Sequence, residues 1–290
     1  MKKRNIDLVV ISDVHLGTLD CHAEELMAYL SSINPKKLIL NGDIIDIWQF
    51  NKHYFPPSHL RILKKIISMA SNGTEVIYIT GNHDGMIRKF GKTLIGSISI
   101  RDKLILELDG KKAWFFHGDV FDVSIQHIKW FSKLGSPGFK MLLQINRIIN
   151  WRLSKLGKEK YSLAEKIKKS GKSAGKYIEN FERMASGIAI DKGYDYVVCG
   201  HIHRPKKEIL ETRNGKCTYL NSGDWVEHLS ALEYSFKRWK IYNYSHDKLS
   251  PFFADEELKS MDLTELISAL ELNRTSKQNR KETEEESIDV

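Results

Sequence analysis

The chain has 290 residues, of which 41% are hydrophobic, and it carries a formal net charge of +8. This length and composition suit one large domain with a real core, or one domain with a sizeable insertion. No apolar run approaches the roughly 20 residues of a transmembrane helix, and three widely spaced cysteines argue against a disulfide framework and fit a reducing cytoplasm.

The first third of the chain alternates strand and helix signals. The stretch 7–11 predicts a strand buried on both faces, and its apolar run, 8–11, is too short for the hydrophobic region of a signal peptide. Helical spacing follows at 23–32 and 60–69, with further strands at 38–40 and 75–80. This order of elements predicts a layered α/β sheet.

The rest of the chain is β-rich on both sides of a helical stretch. Strands are predicted at 97–108 and 112–116, joined by a hairpin turn at Asp109-Gly110. Helical signals then dominate 121–192. The later predicted elements are strands at 196–199 and 216–220, a closing hairpin at 230–244 and a helix at 258–270.

These patterns predict one domain, 1–272, followed by a disordered charged tail, 273–290. Within the domain, 121–193 is predicted to be a helical, basic insertion. It contains 15 Lys and Arg against 6 Asp and Glu, a net of +9, so the remainder of the chain is close to neutral. The positive charge should therefore be explained by the function of this insertion and not by the fold as a whole.

Six predicted strands end in Asp, Asn or His, often beside Gly. In α/β sheets, sites form beyond the carboxyl ends of the strands, and Gly lets two backbone segments approach closely. Such oxygen and nitrogen donors suit Mn²⁺, Fe²⁺, Zn²⁺ or Ni²⁺, whereas a structural zinc site favours cysteine. The residues concerned are Asp13 and His15; Asp43; Asn82 and His83; His117; His201 and His203; and Asn221 and Asp224.

Within two of these stretches, the spacing of the donor residues favours binding of both side chains to the same ion. Asp13 and His15 alternate along an extended segment, so both side chains reach one ion. The same holds for His201 and His203, with division of the two rings between two ions as the alternative. Asp and Asn are also common in turns and caps, but that interpretation leaves the histidines unexplained.

The succession Asp-x-His, Gly-Asp, Gly-Asn-His-Asp, His-Gly-Asp and Gly-His-x-His resembles the calcineurin-like metallophosphoesterase superfamily over 7–244, apart from the insertion. The resemblance implies a four-layer α/β/β/α sandwich with two divalent ions, Mn²⁺ being the expected metal. It also implies that Asp43 bridges the ions. The remaining ligands would be Asp13, His15 and His203 for the first ion and Asn82, His117 and His201 for the second.

By the same resemblance, the enzyme would hydrolyse phosphoesters. A pair of ions supplies an activated water and grips phosphoryl oxygens. His83 would stabilise developing charge or protonate the leaving oxygen, and Asp84 would orient His83. Candidates for supporting the site or contacting substrate are Asp46, Asp119, Asn221, Asp224 and Trp225, the last with the core as its alternative place.

Three stretches, 12–17, 41–48 and 221–227, resemble the UDP-2,3-diacylglucosamine diphosphatase group. That resemblance implies cleavage of the diphosphate of a lipid-linked nucleotide sugar in lipid A synthesis, giving UMP and a sugar phosphate. It also implies a helical insertion that holds acyl chains. The best-known members carry Arg where this chain has His83, which leaves open a sister branch with a related substrate.

The insertion has apolar residues at helical spacing interleaved with Lys and Arg over 139–158. This pattern is typical of a membrane-surface helix, and it predicts peripheral contact with the cytoplasmic face of the inner membrane. Packing on its own domain is the alternative. A soluble phosphoesterase for nucleotides, phosphoproteins or nucleic acid is a second hypothesis, although aromatics among aliphatics disfavour nucleic acid. A non-catalytic scaffold is a third, which the intact ligand set disfavours.

Overall fold

Two β-sheets pack face to face, and helices cover both outer faces. The residues that a computed structural model describes are 3–47, 55–90, 94–95, 98–121 and 171–247. The predicted helix at 258–270, the tail 273–290 and most of the insertion 121–193 lie outside these described residues.

The first sheet has seven strands with a parallel centre. Across the sheet they are β12 (Arg238–Asn243), β11 (Ser230–Ser235), β1 (Arg4–Ile11), β2 (Ile33–Asn41), β3 (Glu75–Ile79), β5 (Ile98–Arg101) and β4 (Leu94–Ile95). β1, β2, β3 and β5 run parallel. β11 and β4 pair antiparallel with β1 and β5, and β12 pairs antiparallel with β11. Because β1, β2 and β3 run the same way, the segments that follow them emerge at one edge.

The second sheet has five strands and repeats this arrangement. In order they are β6 (Lys103–Leu108), β7 (Lys111–Phe116), β8 (Tyr196–Cys199), β10 (Gly215–Asn221) and β9 (Lys206–Thr212). The central strands β7, β8 and β10 are parallel, and β6 and β9 flank them antiparallel. Three more strand ends therefore lie together at one edge of this sheet.

Apolar residues of the central strands fill the space between the sheets. Leu8 and Val10 of β1 belong to the same buried cluster as Phe115 of β7, Val198 of β8 and Leu220 of β10. Alternate residues of a strand point to opposite faces, so each central strand supplies two cores. This explains why the central strands are continuous apolar runs instead of alternating ones.

Helices complete the outer layers. The helices α1 (Ala23–Ser32) and α2 (Pro57–Ser71) pack on the first sheet, and α3 (Gly171–Asp191) packs on the second. In α3, the small and aromatic residues Phe181, Ala185 and Ala189 lie against β8 and β10. The layer order is therefore α/β/β/α, and the predicted fold class is confirmed. None of the described helices is long and apolar enough to cross a bilayer.

Most predicted elements are present, and the differences have local causes. β2 begins at Ile33, earlier than predicted, with Pro35 inside the strand. Pro35 is tolerated because β3 pairs with β2 only from Lys37 onward, so no ladder bond on that side needs its missing N–H. The strand predicted at 97–108 is in fact divided between the two sheets as β5 and β6.

Turn chemistry was predicted more reliably than edge strands. Asp109 and Gly110 adopt φ of 51° and 79° and join β6 to β7, as expected for a two-residue hairpin turn. The edge strand β9 was missed in the sequence. Its residues are charged and mostly exposed, so it lacks the apolar alternation that marks a half-buried strand.

Candidate metal centre

The strand ends of both sheets meet at one edge of the sandwich. There, the donor atoms of His15, Asp46 and His83 lie within 4.8 Å of one another, and so do those of two groups made up entirely of proposed ligands. One group is Asp13, His15 and His203, and the other is Asp43, His117 and His201. Each group combines residues from both sheets, so the fold assembles positions that lie far apart in the sequence.

In the first group, Nε2 of His203 lies 3.2 Å from Oδ1 of Asp13. Burial lowers the pKa of His203, but the carboxylates of Asp13 and Asp224 outweigh burial and raise that pKa to about 10. Burial raises the pKa of Asp13, yet the charge of His203 brings it below its ordinary value. Without a metal, the proton on His203 thus occupies the place of a cation.

The second group repeats this pairing around Asp43. Oδ2 of Asp43 lies 3.1 Å from Nε2 of His117, and both side chains are buried. Burial lowers the pKa of His117, but the Asp43 carboxylate raises it well above its usual value. Reciprocally, His117 holds the pKa of Asp43 well below its ordinary range despite burial. The pair is an ion pair that a bound cation would replace.

Three histidines share one orientation, in which Nδ1 faces an oxygen acceptor and Nε2 faces the centre. A carbonyl or carboxylate oxygen fixes the ring and leaves Nε2 as the ligand atom. Nε2 of His15 is buried and has no hydrogen-bond partner among the described residues. Nδ1 of His15 lies 3.4 Å from Asp46, and Nδ1 of His117 lies 2.9 Å from Asn41 O. Nδ1 of His203 lies 3.5 Å from Asp224 in an ion-pair contact without a hydrogen bond.

Five of these donors lie on strained backbone. A non-glycine residue with positive φ costs about 1–3 kcal/mol, and such residues cluster at functional sites. The residues and their φ angles are Asp13 at 52°, His15 at 53°, Asp43 at 53°, His201 at 67° and His203 at 58°. Hydrogen bonds between the loops hold this backbone in place, such as those from the N–H groups of Asp13 and His15 to the carbonyls of Gly42 and Asp43.

Two glycines make the close approach possible. Gly42 adopts φ +84°, and a Cβ there would overlap the ring of His117. A Cβ on Gly81 would overlap the carboxylate of Asp43. Glycine is therefore required at both positions for steric reasons.

Asn82 and His83 are carried by the loop after β3. The N–H of His83 donates to Oδ1 of Asp43 at 2.8 Å, and Asn82 is buried beside it. The ring of His83 packs edge-on against His15, with centroids 4.7 Å apart. About a quarter of the His83 side chain, 23%, stays exposed, so this ring borders both the centre and the solvent.

The expected partner of His83 is corrected. Nδ1 of His83 lies 2.8 Å from Oδ2 of Asp46, not beside Asp84. Burial lowers the pKa of His83, but Asp46 and then Asp43 outweigh it and raise that pKa to about 9. Asp46, expected only as a supporting candidate, is thus the residue that orients and charges His83.

Asp84 has a different function in the structure. Its carboxylate accepts hydrogen bonds from the N–H of Ile44 at 2.9 Å, the N–H of Gly81 at 2.6 Å and the hydroxyl of Tyr78 at 2.5 Å. These bonds join the loop after β2 to the loop after β3. Burial and the neighbouring Asp43 raise the pKa of Asp84 to about 6. Asp84 therefore positions loops and does not contact the His83 ring.

The other supporting candidates are Asn221, Asp224 and Asp119. Asn221 donates to Gly200 O at 2.9 Å and so fixes the loop that carries His201. Asp224 lies beside His203, as described, and Asp119 accepts from Arg88 at 3.0 Å. These contacts agree with supporting roles.

Trp225 does not border the centre. Its side chain is 0% exposed and stacks on Tyr29 of α1, with centroids 5.4 Å apart. The core interpretation is therefore right, and the substrate contact considered for Trp225 is wrong. Only its backbone reaches the centre, where its N–H donates to the carbonyl of Asp13 at 3.1 Å.

Sequence reasoning missed a hydroxyl pair behind Asp13. Oγ of Ser12 lies 2.5 Å from Oδ2 of Asp13 and 2.6 Å from Oγ of Ser222. Both serines are fully buried. Serine at a strand end is too common to mark a site, and the one usable signal was that each serine adjoins a candidate residue.

The donor set fits divalent cations. It contains carboxylate oxygens and imidazole nitrogens in compact groups, and the buried Nε2 of His15 has no hydrogen-bond partner among the described residues. Such donors suit first-row divalent ions. A sandwich with this centre at its strand ends is a metal-dependent hydrolase. The profile of the calcineurin-like phosphoesterase family matches residues 6–205, and the chain belongs to that family.

Curated relatives agree with this assignment. The UDP-2,3-diacylglucosamine hydrolase of Aliivibrio fischeri (strain MJ11) is 24% identical over 243 residues, which cover 81% of this chain and 97% of the relative. The UDP-2,3-diacylglucosamine hydrolase of Shewanella sp. (strain W3-18-1) is 28% identical over 203 residues, covering 68% and 79%. Among solved structures, an archaeal phosphodiesterase has a TM-score of 0.41 and 16% identity, covering 81% of this chain and 98% of that one.

Proposed function

We propose that this protein hydrolyses the diphosphate of UDP-2,3-diacylglucosamine, or of a related lipid-linked nucleotide sugar, to UMP and a sugar phosphate. Relatives that carry the hydrolase name for this substrate align along nearly their whole length, 97% in one case. The observation that carries the proposal is the pair of donor groups at one edge of the sandwich.

Within this proposal the donors divide between two divalent ions, with Mn²⁺ as the expected metal and Fe²⁺, Zn²⁺ or Ni²⁺ as alternatives. Bound ions would polarise the phosphoryl oxygens and lower the pKa of water. By resemblance to the family, Asp43 would be the shared ligand. Its carboxylate lies in the group of His117 and His201, and its Oδ1 also accepts the N–H of His83, the residue after Asn82, at 2.8 Å. The ligands are Asp13, His15 and His203 for one ion and Asn82, His117 and His201 for the other.

His83 is the proton donor in this proposal. Its ring is charged through Asp46, its Nδ1 is engaged there, and part of the side chain is open to solvent. The other ring nitrogen, Nε2, is therefore the atom that would face the substrate. An imidazolium at this place stabilises negative charge on the phosphoryl group and supplies the proton that the leaving oxygen needs.

The basic insertion is proposed to contact lipid. Its net charge of +9 over 121–193 suits the anionic headgroups of a cytoplasmic leaflet. Its apolar residues at helical spacing suit acyl chains. The protein would therefore act in the cytoplasm as a peripheral protein of the inner membrane surface.

The substrate proposal is tested with purified protein, Mn²⁺ and detergent-dispersed UDP-2,3-diacylglucosamine, following UMP by chromatography. UDP-N-acetylglucosamine tests whether the acyl chains are needed, and a generic phosphodiester tests whether the preparation is active. Hydrolysis of the lipid at least tenfold faster than of the unacylated sugar is expected. Turnover of nucleotides, phosphoproteins or nucleic acid without turnover of the lipid would replace this proposal by the soluble phosphoesterase hypothesis.

Membrane contact is tested separately by sedimentation with vesicles that contain phosphatidylglycerol, next to neutral vesicles and a nucleic-acid gel shift. Binding to the anionic vesicles alone is expected. A shift with nucleic acid and no sedimentation would contradict the lipid assignment of the insertion, whatever the substrate assay gives.

A further inference from the structure

Arg88 joins two loops of the centre that come from different sheets. It lies on the short 3₁₀ helix Gly85–Phe90 that follows the loop after β3. Its Nε donates to Oγ1 of Thr80 at 2.8 Å, and its Nη2 donates to the carbonyl of Thr80 at 3.3 Å. The same Nη2 donates to Oδ2 of Asp119 at 3.0 Å. One guanidinium therefore connects the end of β3 with the segment after β7.

Both ends of this connection adjoin proposed ligands of one ion. Thr80 lies two residues before Asn82, and Asp119 lies two residues after His117. Among the donors assigned to the second ion, Asn82 follows a strand of the first sheet and His117 follows a strand of the second. The separation of these donors depends on how the two loops are held relative to each other.

The first ion is held by other connections. Asp13 accepts the N–H of His201 at 3.0 Å and lies against the Ser12 hydroxyl. A separate bond, from Nδ2 of Asn41 to Phe116 O at 3.2 Å, joins β2 to β7. That bond positions the loop of Asp43, to which Asp84 ties the loop after β3, whereas Arg88 joins the loop after β3 directly to the segment after β7. Loss of Arg88 should therefore affect one ion more than the other.

The contacts suit arginine and not lysine. A guanidinium offers several donors in one fixed plane, whereas an ammonium is a single point charge on a flexible stem. The side chains of Arg88 and Asp119 are 32% and 10% exposed, so this charge-assisted bond is partly shielded from water. Nε of Arg88 also lies 3.2 Å from Asp102, which adds a second carboxylate on the solvent side.

We propose that Arg88 is a positioning residue that fixes the separation of Asn82 and His117 and so assembles the second ion's ligands. The proposal rests on the ion assignment of the proposed function. It does not depend on the identity of the substrate, because metal binding is measured without substrate.

The test compares the wild-type full chain with its variants Arg88→Gln and Arg88→Lys, using Mn²⁺ alone as the probe. Titration calorimetry gives the two affinities, and electron paramagnetic resonance reports the coupled Mn²⁺ pair. We expect the first affinity to stay within about twofold, and the second to fall about 10–100-fold, as losses around metal ligands typically do. The coupled signal should disappear at matched Mn²⁺ in both variants. Lys89→Gln, which removes the exposed neighbouring charge, is the matched control and should bind as wild type.

Three results would overturn the proposal: unchanged binding of both ions, equal weakening of both ions, or a wild-type titration for Arg88→Lys. A lowered melting temperature without selective loss of the second ion would mean a merely structural role. If Arg88→Gln fails to fold, Asp119→Asn decides by the same criteria, because it keeps the guanidinium and removes the negative charge of Asp119 that faces it. Wild-type protein that binds a single Mn²⁺ would refute the ion assignment instead.

Discussion

Oδ2 of Asp46 lies 2.8 Å from Nδ1 of His83. The same oxygen lies 3.4 Å from Nδ1 of His15. A single buried carboxylate thus orients both a proposed metal ligand and the proposed proton donor. The two functions are coupled, because any shift of Asp46 moves both rings.

Asp46→Asn should impair the proton donor more than the metal site. The variant keeps an oxygen acceptor for both rings but removes the charge that raises the pKa of His83. Because the donor must be protonated, a lower pKa moves the alkaline limb of the rate profile to lower pH. We expect kcat to fall about 10–100-fold and the limb to shift by about one pH unit or more. The measurement is a pH–kcat profile with a soluble phosphodiester.

Asp20→Asn is the matched control for that profile, because Asp20 is an exposed carboxylate on the loop that follows His15. It should leave the alkaline limb in place. An Asp46→Asn profile that coincides with wild type would show that Asp46 does not set the protonation of His83.

Asp43→Ala should remove metal from both positions, whereas His15→Ala or His117→Ala should chiefly empty one. The reason is that Asp43 is assigned to both ions and each histidine to one. Metal content after gel filtration, measured by mass spectrometry, separates these outcomes. His246→Ala, which changes an exposed histidine, should keep the wild-type content. Two retained ions in Asp43→Ala would refute the shared carboxylate.

Without metal, raising the pH should destabilise the protein through His203. The folded-state pKa of about 10 lies above the ordinary value near 6.5. The stabilisation is therefore complete below about pH 6.5 and is lost as pH rises toward 10. We expect the melting temperature of metal-free protein, relative to His203→Asn, to fall by about 2–4 °C per kcal/mol lost over this range.

Mn²⁺ should reverse this trend. Binding displaces the protons on His203 and His117, so affinity increases with pH. Calorimetry in buffers of different ionisation enthalpy should detect the released protons. Two results would contradict the ion pairs of His203 and His117 described above. One is Mn²⁺ binding without proton release, and the other is a melting temperature of the metal-free protein that does not change from pH 6.5 to 10.

The sequence was informative about the centre because its donors adjoin recognisable strand ends. The continuous apolar run at 8–11 marks a strand buried on both faces, and Asp13 and His15 follow it closely. What the sequence did not indicate was conformation. Positive φ at Asp13 and Asp43 is imposed by bonds between loops, and local propensity opposes it.

Contacts between neighbouring acidic residues were also unpredictable. Asp46 lies three residues after Asp43, and Asp84 lies two residues after Asn82. Only tertiary packing decides which of the two carboxylates contacts the His83 ring. The same limit applied to Trp225, whose motif adjoins the centre while its side chain turns into the core. Spacing predicted which loops assemble, whereas side-chain direction within each loop depended on the complete fold.

Ser12→Ala should weaken Mn²⁺ binding even though Ser12 touches no ion in the proposal. Its hydroxyl lies 2.5 Å from Oδ2 of Asp13 and is backed by Ser222 at 2.6 Å. Removal leaves that carboxylate oxygen without its buried hydroxyl partner, and we expect about tenfold weaker binding of the first ion. Ser222→Ala should have a smaller effect, because it acts through Ser12.

The double variant distinguishes a chain of contacts from two independent ones. If Ser222 acts only through Ser12, the losses in Mn²⁺ affinity will not add, and the double variant will match Ser12→Ala within about 0.3–0.5 kcal/mol. Ser245→Ala, at an exposed hydroxyl far along the chain, is the control for serine removal. Additive losses would mean that Ser222 acts on the centre by another route, such as its bond to Cys199 O at 3.3 Å.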